Sequence, residues 1–418
     1  MIFFKECKKV LFSLTFLIYF AVVFAFYFTQ FHNDSRAPLQ KPTAGDNYYG
    51  TVAKEVPEIM MPAAIEGLVS EYLSGNFTAY PYGFIKNVRL NTKKKAQMSE
   101  IITELSGITA AELDSFEDYE EGGYVADEYG SFKYIEPNIP EINIPASLTY
   151  ERFRELMRKA DKIIGGGSNY SDTYIVVHFS RVEKTYEDAL AEYERFLNDD
   201  KITGAYGRLY CDYLGIILAI LPVFPAAALA GLDKKSGMEQ LAYSRKISSA
   251  RLIFTRYFAL VAVMIIPVII TAAIADHSIR NLYPDAIVDN SAIYKYTAVW
   301  LVPNILASTA VGMLIPELVS GIIAIFVQGA WWAMSIFSGS GTLTGDIGKF
   351  TFVMRHNSLM GADVFVLEQN NFIFNRIFYT VLSIALVALT AVIYDLKRRG
   401  ILGGISNLGK NSKRKSEA

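Results

Sequence analysis

Few residues in this sequence have the types and spacing that chemistry needs. The nearest approach to a phosphate-binding loop is GTLTGDIGK at 341–349. Such a loop requires Gly, four residues, then Gly-Lys-Ser/Thr, so that backbone amides and a lysine surround the phosphates. Leu343 stands where the first glycine belongs and Phe350 follows Lys349, so no nucleotide site is expected. Gly165-Gly166-Gly167-Ser168 reads as a sharp turn rather than a phosphate cradle. His32, His178, His277 and His356 are scattered without ligand spacing. The seven carboxylates between 114 and 128 do not follow an EF-hand pattern and read as a solvated acidic loop. Cys7 and Cys211 give neither a disulfide framework nor a metal site. Asn76-Phe77-Thr78 and Asn169-Tyr170-Ser171 match the short glycosylation pattern. The expectation is a protein without catalytic residues, cofactor or metal, and without a nucleic-acid partner.

The elements that carry these residues are mostly apolar. Six runs are long enough to cross a hydrocarbon core, which needs roughly 20 residues at helical rise. They lie at 10–28, 209–231, 257–275, 296–315, 318–337 and 377–394. Lys5, Lys8 and Lys9 before the first run also fit a secretory signal. Its length and its Phe26-Tyr27-Phe28 end favour a retained helix. Lys and Arg concentrate in the N-terminal stub, in the loop from Lys234 to Arg256, and in the tail from Lys397 to Lys415. With six spans these three segments share one side, so the positive-inside rule places both termini in the cytoplasm and residues 29–205 outside, in a cell membrane. The expected division is residues 1–28 (N-terminal interfacial segment and first span), 29–205 (extracellular domain), 206–396 (membrane domain) and 397–418 (basic cytoplasmic tail).

Residues 29–205 hold 18 Lys/Arg against 29 Asp/Glu, so this hydrophilic insertion is acidic while the rest of the chain is basic. Periodicity predicts helices at 58–73, 96–105, 150–164 and 186–197, and strands at 84–90 and 174–179. The segments 33–46 and 136–145 read as linkers because of their prolines. A mixed α/β or mostly helical domain with a small sheet follows, its core large enough to stand by packing alone. The whole chain is thus expected to be an all-α bundle of six transmembrane helices with this domain inserted after the first.

Within the expected spans, Pro222, Pro225, Pro267 and Pro303 break the backbone ladder. Asn304, Ser308, Thr309, Gly312 and Gln328 are polar or small there, and read as helix packing with substrate contact as the alternative. Asp212 reads as sitting at a helix end near water.

One cytoplasmic loop stands apart. SGMEQLAYSRKI at 236–247 predicts a short helix over 237–243, with Ser236 and Glu239 as a capping box, a break at Ser244 and a second start at Ser248-Ser249. A rigid helix at a membrane exit suits docking by a soluble partner. Its alternative is a surface helix held to headgroups by Lys246, Arg251 and Arg256.

Six spans with a loop reading SGMEQLAYSRKISSARLIFTRY resemble the membrane subunit of type-2 ABC transporters, the exporter permease family. FFKECKKVLFS at 3–13 is similar to that family's N-terminal interfacial segment, and NRIFYTVLSIALVALTAVIYDLKRRG at 375–400 to its last helix. The insertion, with its GGGSNYS end, resembles the subgroup with a large extracellular domain. The resemblance covers about half of the residues. It implies a coupling helix near 236–244, with Gly237, Met238, Glu239, Leu241, Tyr243 and Arg245 as the ATPase-coupling residues and Ser244 and Ser248 at matching positions. It also implies a separately encoded ABC ATPase and a second permease copy, with this chain supplying the pathway; Pro222, Pro225, Asn304, Ser308 and Gln328 stay, by their residue types alone, open between packing and pathway. A membrane-anchored extracellular sensor or receptor would explain the insertion but not six spans. A mechanotransmitting ABC permease would have four spans.

Overall fold

The computed structural model describes all residues except 1, 36, 81–85, 118, 121, 127–131, 136, 245, 339–346, 357 and 403–418. The chain divides into two compact units, Met1–Lys41 with Ala191–Ala418, and Pro42–Leu190. The first unit begins with α1 (Ile2–Leu11) and, after a break at Phe12-Ser13, α2 (Leu14–Phe26). Ser13 causes that break by capping α2, its hydroxyl accepting from Phe16 N–H at 3.2 Å. The expected single run at 10–28 is therefore two helices with different tasks: α1 is amphipathic, α2 apolar all round.

The second unit is mostly helical: α3 (Pro57–Ser74), α4 (Thr92–Ser106), α5 (Ala110–Ser115), α6 (Tyr150–Ile164) and α7 (Ile175–Phe179). A further helix, α8 (Tyr186–Asn198), leads out of it. Among its described residues are three two-stranded antiparallel ladders: β1 (Thr51–Ala53) with β6 (Arg181–Glu183), β2 (Phe77–Ala79) with β3 (Lys86–Val88), and β4 (Gly123–Ala126) with β5 (Phe132–Ile135). Met60, Leu68, Ile102, Leu105, Phe153, Met157 and Tyr170 lie in its core. The helix and Gly165 stop expected at 150–164 are observed, and Gly165-Gly166-Gly167 all take positive φ. Asp161 fixes this turn by accepting from both Ser168 N–H and Oγ at 2.8 Å. The strand expected at 84–90 is reduced to Lys86–Val88 among described residues.

The strand expected at 174–179 is the helix α7 instead. Its β-branched composition predicts extension, but Ile175 N–H reaches Ser171 O and His178 N–H reaches Tyr174 O directly out of the glycine turn. Ile175 then enters the core and the Phe179 ring stacks on Tyr170 at 5.5 Å. Tertiary packing overrides the local preference. Burial, with the Arg181 charge nearby, holds the His178 imidazole below its ordinary pKa. The unfolded chain then binds more protons, so stability is fully present above about pH 6.5 and falls as pH drops through the folded value. We expect hydrogen exchange in α7 of the full chain to accelerate between pH 7 and pH 5 beyond the intrinsic rate. His178→Phe, which keeps the stack on Tyr80, should remove that component; an unchanged profile would contradict the assignment.

The first unit continues with α9 (Thr203–Leu218), α10 (Val223–Ala230), α11 (Leu232–Lys235), α12 (Glu239–Tyr243) and α13 (Ser249–Leu282). Then come α14 (Ala292–Tyr296), α15 (Val302–Leu318), α16 (Gly321–Ser338), α17 (Ala362–Leu367) and α18 (Gln369–Arg398). Tyr27–Phe31 extends α2 and Thr297–Leu301 joins α14 to α15, both as π-turns. Among the described residues five helical stretches are long and apolar enough to cross a membrane: Leu14–Phe31, Thr203–Ala230, Ser249–Leu282, Ala292–Leu318 and Gln369–Arg398. The run expected at 318–337 forms the apolar but shorter helix Gly321–Phe337. Phe196, Ile202 and Ala205 pack with the membrane helices, so the chain joins that core before residue 205.

Candidate functional site

The loop helix is built differently from its expected capping box. Gly237 takes φ +68° and ends α11, with Met238 N–H closing onto Asp233 O at 2.9 Å. Ser236 therefore sits at the end of α11, and its hydroxyl donates to Leu232 O and Asp233 O at 2.9 and 3.2 Å. It does not cap α12, whose N-cap is Met238 and which has no side-chain cap. A glycine free to turn left-handed outcompetes the capping box because it satisfies the preceding helix first. The second expected start holds: Ser248 caps α13 by accepting from Arg251 N–H at 3.3 Å.

Leu241 is 67% exposed and Met238 55%, while Ala242 is buried beneath them. Tyr243 turns inward and meets the Tyr394 ring edge-on at 5.3 Å. Arg245 lies outside the described residues, and Glu239 belongs to α12 by its backbone. The segment after the loop helix is fixed to α18, with Arg398 donating to Ile247 O at 2.6 Å and Ser249 Oγ donating to Asp395 at 2.8 Å. Arg256 is not a surface cation: it is buried and donates to Asp233 Oδ2 at 2.7 Å.

The expected second span is broken. Pro222 and Pro225 leave tight turns between α9 and α10, where Ile220 N–H bonds Ile217 O and Val223 N–H bonds Ile220 O. Ile216 O and Ala219 O lose their helical donors to these turns. Two side chains of α16 replace them: Trp332 Nε1 donates to Ile216 O at 2.8 Å and Gln328 Nε2 to Ala219 O at 2.6 Å. From α15, Asn304 Nδ2 donates to Gly215 O at 3.3 Å and Ser308 Oγ to Ile220 O at 3.4 Å. Gly312 allows this closeness, since a Cβ there would lie 2.9 Å from Val223 O. Pro222, Pro225, Asn304, Ser308 and Gln328 thus converge on one break. We expect Gln328→Leu and Trp332→Phe each to cost about 1–3 kcal/mol, because each strands a buried carbonyl. Thermal unfolding in detergent checks this, and a fully additive double variant would argue against a shared break.

A buried, non-helical segment lies next to it. Residues 347–356 run through the protein without regular structure, with Thr351, Phe352, Val353, Met354 and His356 buried. Buried irregular backbone needs protein partners for its polar groups. Asp212 accepts from His356 N–H at 2.8 Å and from Arg355 Nε at 3.0 Å, and Ser335 Oγ accepts from Val353 N–H at 2.8 Å. Asn375 Nδ2 donates to Gly348 O and Thr351 O, and Tyr379 OH to Phe350 O. Asp212 is therefore buried inside α9 rather than at a helix end near water.

Arg376, 3% exposed, joins this segment to the break. It donates to Trp300 O and Asn304 Oδ1 at 2.9 and 2.8 Å, and to Asn375 Oδ1. Sequence reasoning missed it because an apolar-run criterion starts the last span at residue 377. The available signal was an Asn-Arg pair one turn inside a continuous helical pattern. Among the described residues no group of three or more His, Cys, Asp and Glu has metal-site geometry.

These elements define a mostly helical, multi-pass membrane protein with a separate, largely helical unit inserted after its first apolar helix. No protein-family model matches the chain, and no curated protein or solved structure matches it significantly.

Proposed function

We propose that the chain is the membrane-spanning permease subunit of an ATP-driven ABC exporter, docking a separately encoded ATPase through α12 and working with a second permease copy. In this reading Gly321–Phe337 completes six spans in a cell membrane, both termini are cytoplasmic, and residues 29–205 face outward. The observation that carries it is the five-residue loop helix itself: Leu241 on it and Met238 just before it are large, apolar and exposed, while Ala242 and Tyr243 seat it on its neighbours. Two neighbouring large apolar side chains exposed beside a buried seat support a contact with a partner there. A sensor or receptor has no use for such a seat, and a four-span mechanotransmitting permease would leave the apolar helices after α15 in excess.

Topology tests the reading, because a docking helix must face the ATPase. With Cys7 and Cys211 replaced, an impermeant thiol reagent added outside should label Ser115→Cys and not Met238→Cys. Membrane permeabilisation should expose the latter. Labelling of Met238→Cys from outside would rule out cytoplasmic docking.

A further inference from the structure

The N-terminal helix and the loop helix are joined by one buried arginine. On α1, Phe4 is exposed together with Lys5, Lys8 and Lys9, as is Phe12 in the break after it, while Val10 and Glu6 face inward. Aromatic side chains interleaved with lysines on the free face of a short amphipathic helix match an anionic lipid surface in both polarity and charge. Glu6 is the unusual member, a carboxylate only 2% exposed. Its Oε1 accepts from Lys9 Nζ at 2.8 Å. Its Oε2 lies 3.8 Å from Arg256 Nε, and among the described residues neither of these two atoms has a hydrogen-bond partner. Arg256 meanwhile holds Asp233 at 2.7 Å, and Asp233 belongs to the helix directly before Gly237 and α12. Glu6 thus stands between an exposed lysine, which headgroups can take, and a buried arginine that anchors the docking segment.

We propose that anionic lipid headgroups regulate the docking segment through this Lys9–Glu6–Arg256–Asp233 chain. Headgroup phosphates compete with Glu6 for Lys9. The freed carboxylate turns wholly to Arg256, closing the 3.8 Å gap. Arg256, now paired on both sides, ties α1, α13 and α11 together and holds α12 in its docking position. Arg256 is a positioning residue here, since its planar fork can serve two carboxylates at once. The consequence for ATPase coupling rests on the docking reading given above, but the linkage itself does not.

The test uses the purified full chain in vesicles of phosphatidylcholine alone or with one third phosphatidylglycerol, and reads hydrogen exchange over residues 232–243. In the wild type, anionic lipid should slow exchange by about three- to fivefold, the scale of one partly buried charge pair. Glu6→Gln should lose this response while Lys5, Lys8 and Lys9 still bind the surface. Lys9→Gln, an exposed change that leaves packing intact, should exchange slowly in both vesicles because Glu6 is already free. Equal wild-type rates in the two vesicles, or a lipid response that survives in Lys9→Gln, would overturn the proposal. If Glu6→Gln does not fold, the Lys9→Gln comparison decides alone. A lipid response of the expected pattern together with normal ATPase retention by Leu241→Asp would reject the docking helix and leave the linkage standing.

Discussion

Under the proposed docking function, Leu241→Asp is expected to release a co-expressed ABC ATPase while the chain itself inserts and folds normally. Leu241 is two-thirds exposed and contributes little to the fold, so a carboxylate there meets water in the free subunit. In a docked complex the same carboxylate would be buried in an apolar contact without a partner. Loss of a central anchor of this kind costs about 2 kcal/mol or more, roughly thirtyfold in affinity. The fair comparison is neutralisation of Lys246 and Arg251, both exposed beside the loop helix. Exposed cations tune association more than they hold a complex, so Lys246→Gln with Arg251→Gln should cost under about 1 kcal/mol. Arg256 is excluded from that comparison because it is buried against Asp233, and its loss would disturb the fold. Co-purification from both variants separates docking from simple attachment to headgroups, for which the order of effects reverses. Retention of the ATPase by Leu241→Asp, with loss from the double neutralisation, would end the coupling assignment.

Arg376→Leu should destabilise the membrane unit more than any single change at its surface. The guanidinium donates to Trp300 O, Asn304 and Asn375, and its charge lies 5.7 Å from the Tyr379 ring. Asn304 in turn reaches the break after α9, and Asn375 holds the buried segment through Gly348 O and Thr351 O. Leucine fills much of the space but leaves at least two buried acceptors without donors, a cost of about 3 kcal/mol or more. Arg376→Lys should recover part of it, since one ammonium cannot reproduce the fork that reaches both asparagines. Thermal unfolding in detergent with α9 and residues 347–356 followed by thiol accessibility checks this. An unfolding midpoint unchanged in Arg376→Leu would mean that Asn304 and Asn375 hold the break and the segment without it.

The apolar helices were legible in the sequence because lipid imposes a length and a composition that local residues must satisfy by themselves. Helices α3, α4, α6 and α8 were legible for a related reason: their 3.6-residue apolar spacing and, at Gly165, a residue suited to the required backbone, are properties of neighbours along the chain. Ser248 as a cap belongs to the same class. Elsewhere the decision was made at a distance. Residues 175–179 read as strand but became helix because Tyr170 and the core beyond it reward that face. Ser236 read as a cap, yet Gly237 gave it to the helix before. Pro222 announced a break, but only the fold supplied Trp332 and Gln328, more than one hundred residues away, to take its carbonyls. Asp212 and Arg256 read as a helix-end acid and a loop cation, Arg376 drew no reading of its own, and all three proved to be buried. A sequence shows what one segment needs for its own backbone and surface. Whether a buried charge or carbonyl finds its partner depends on segments far along the chain, and only tertiary packing brings those together.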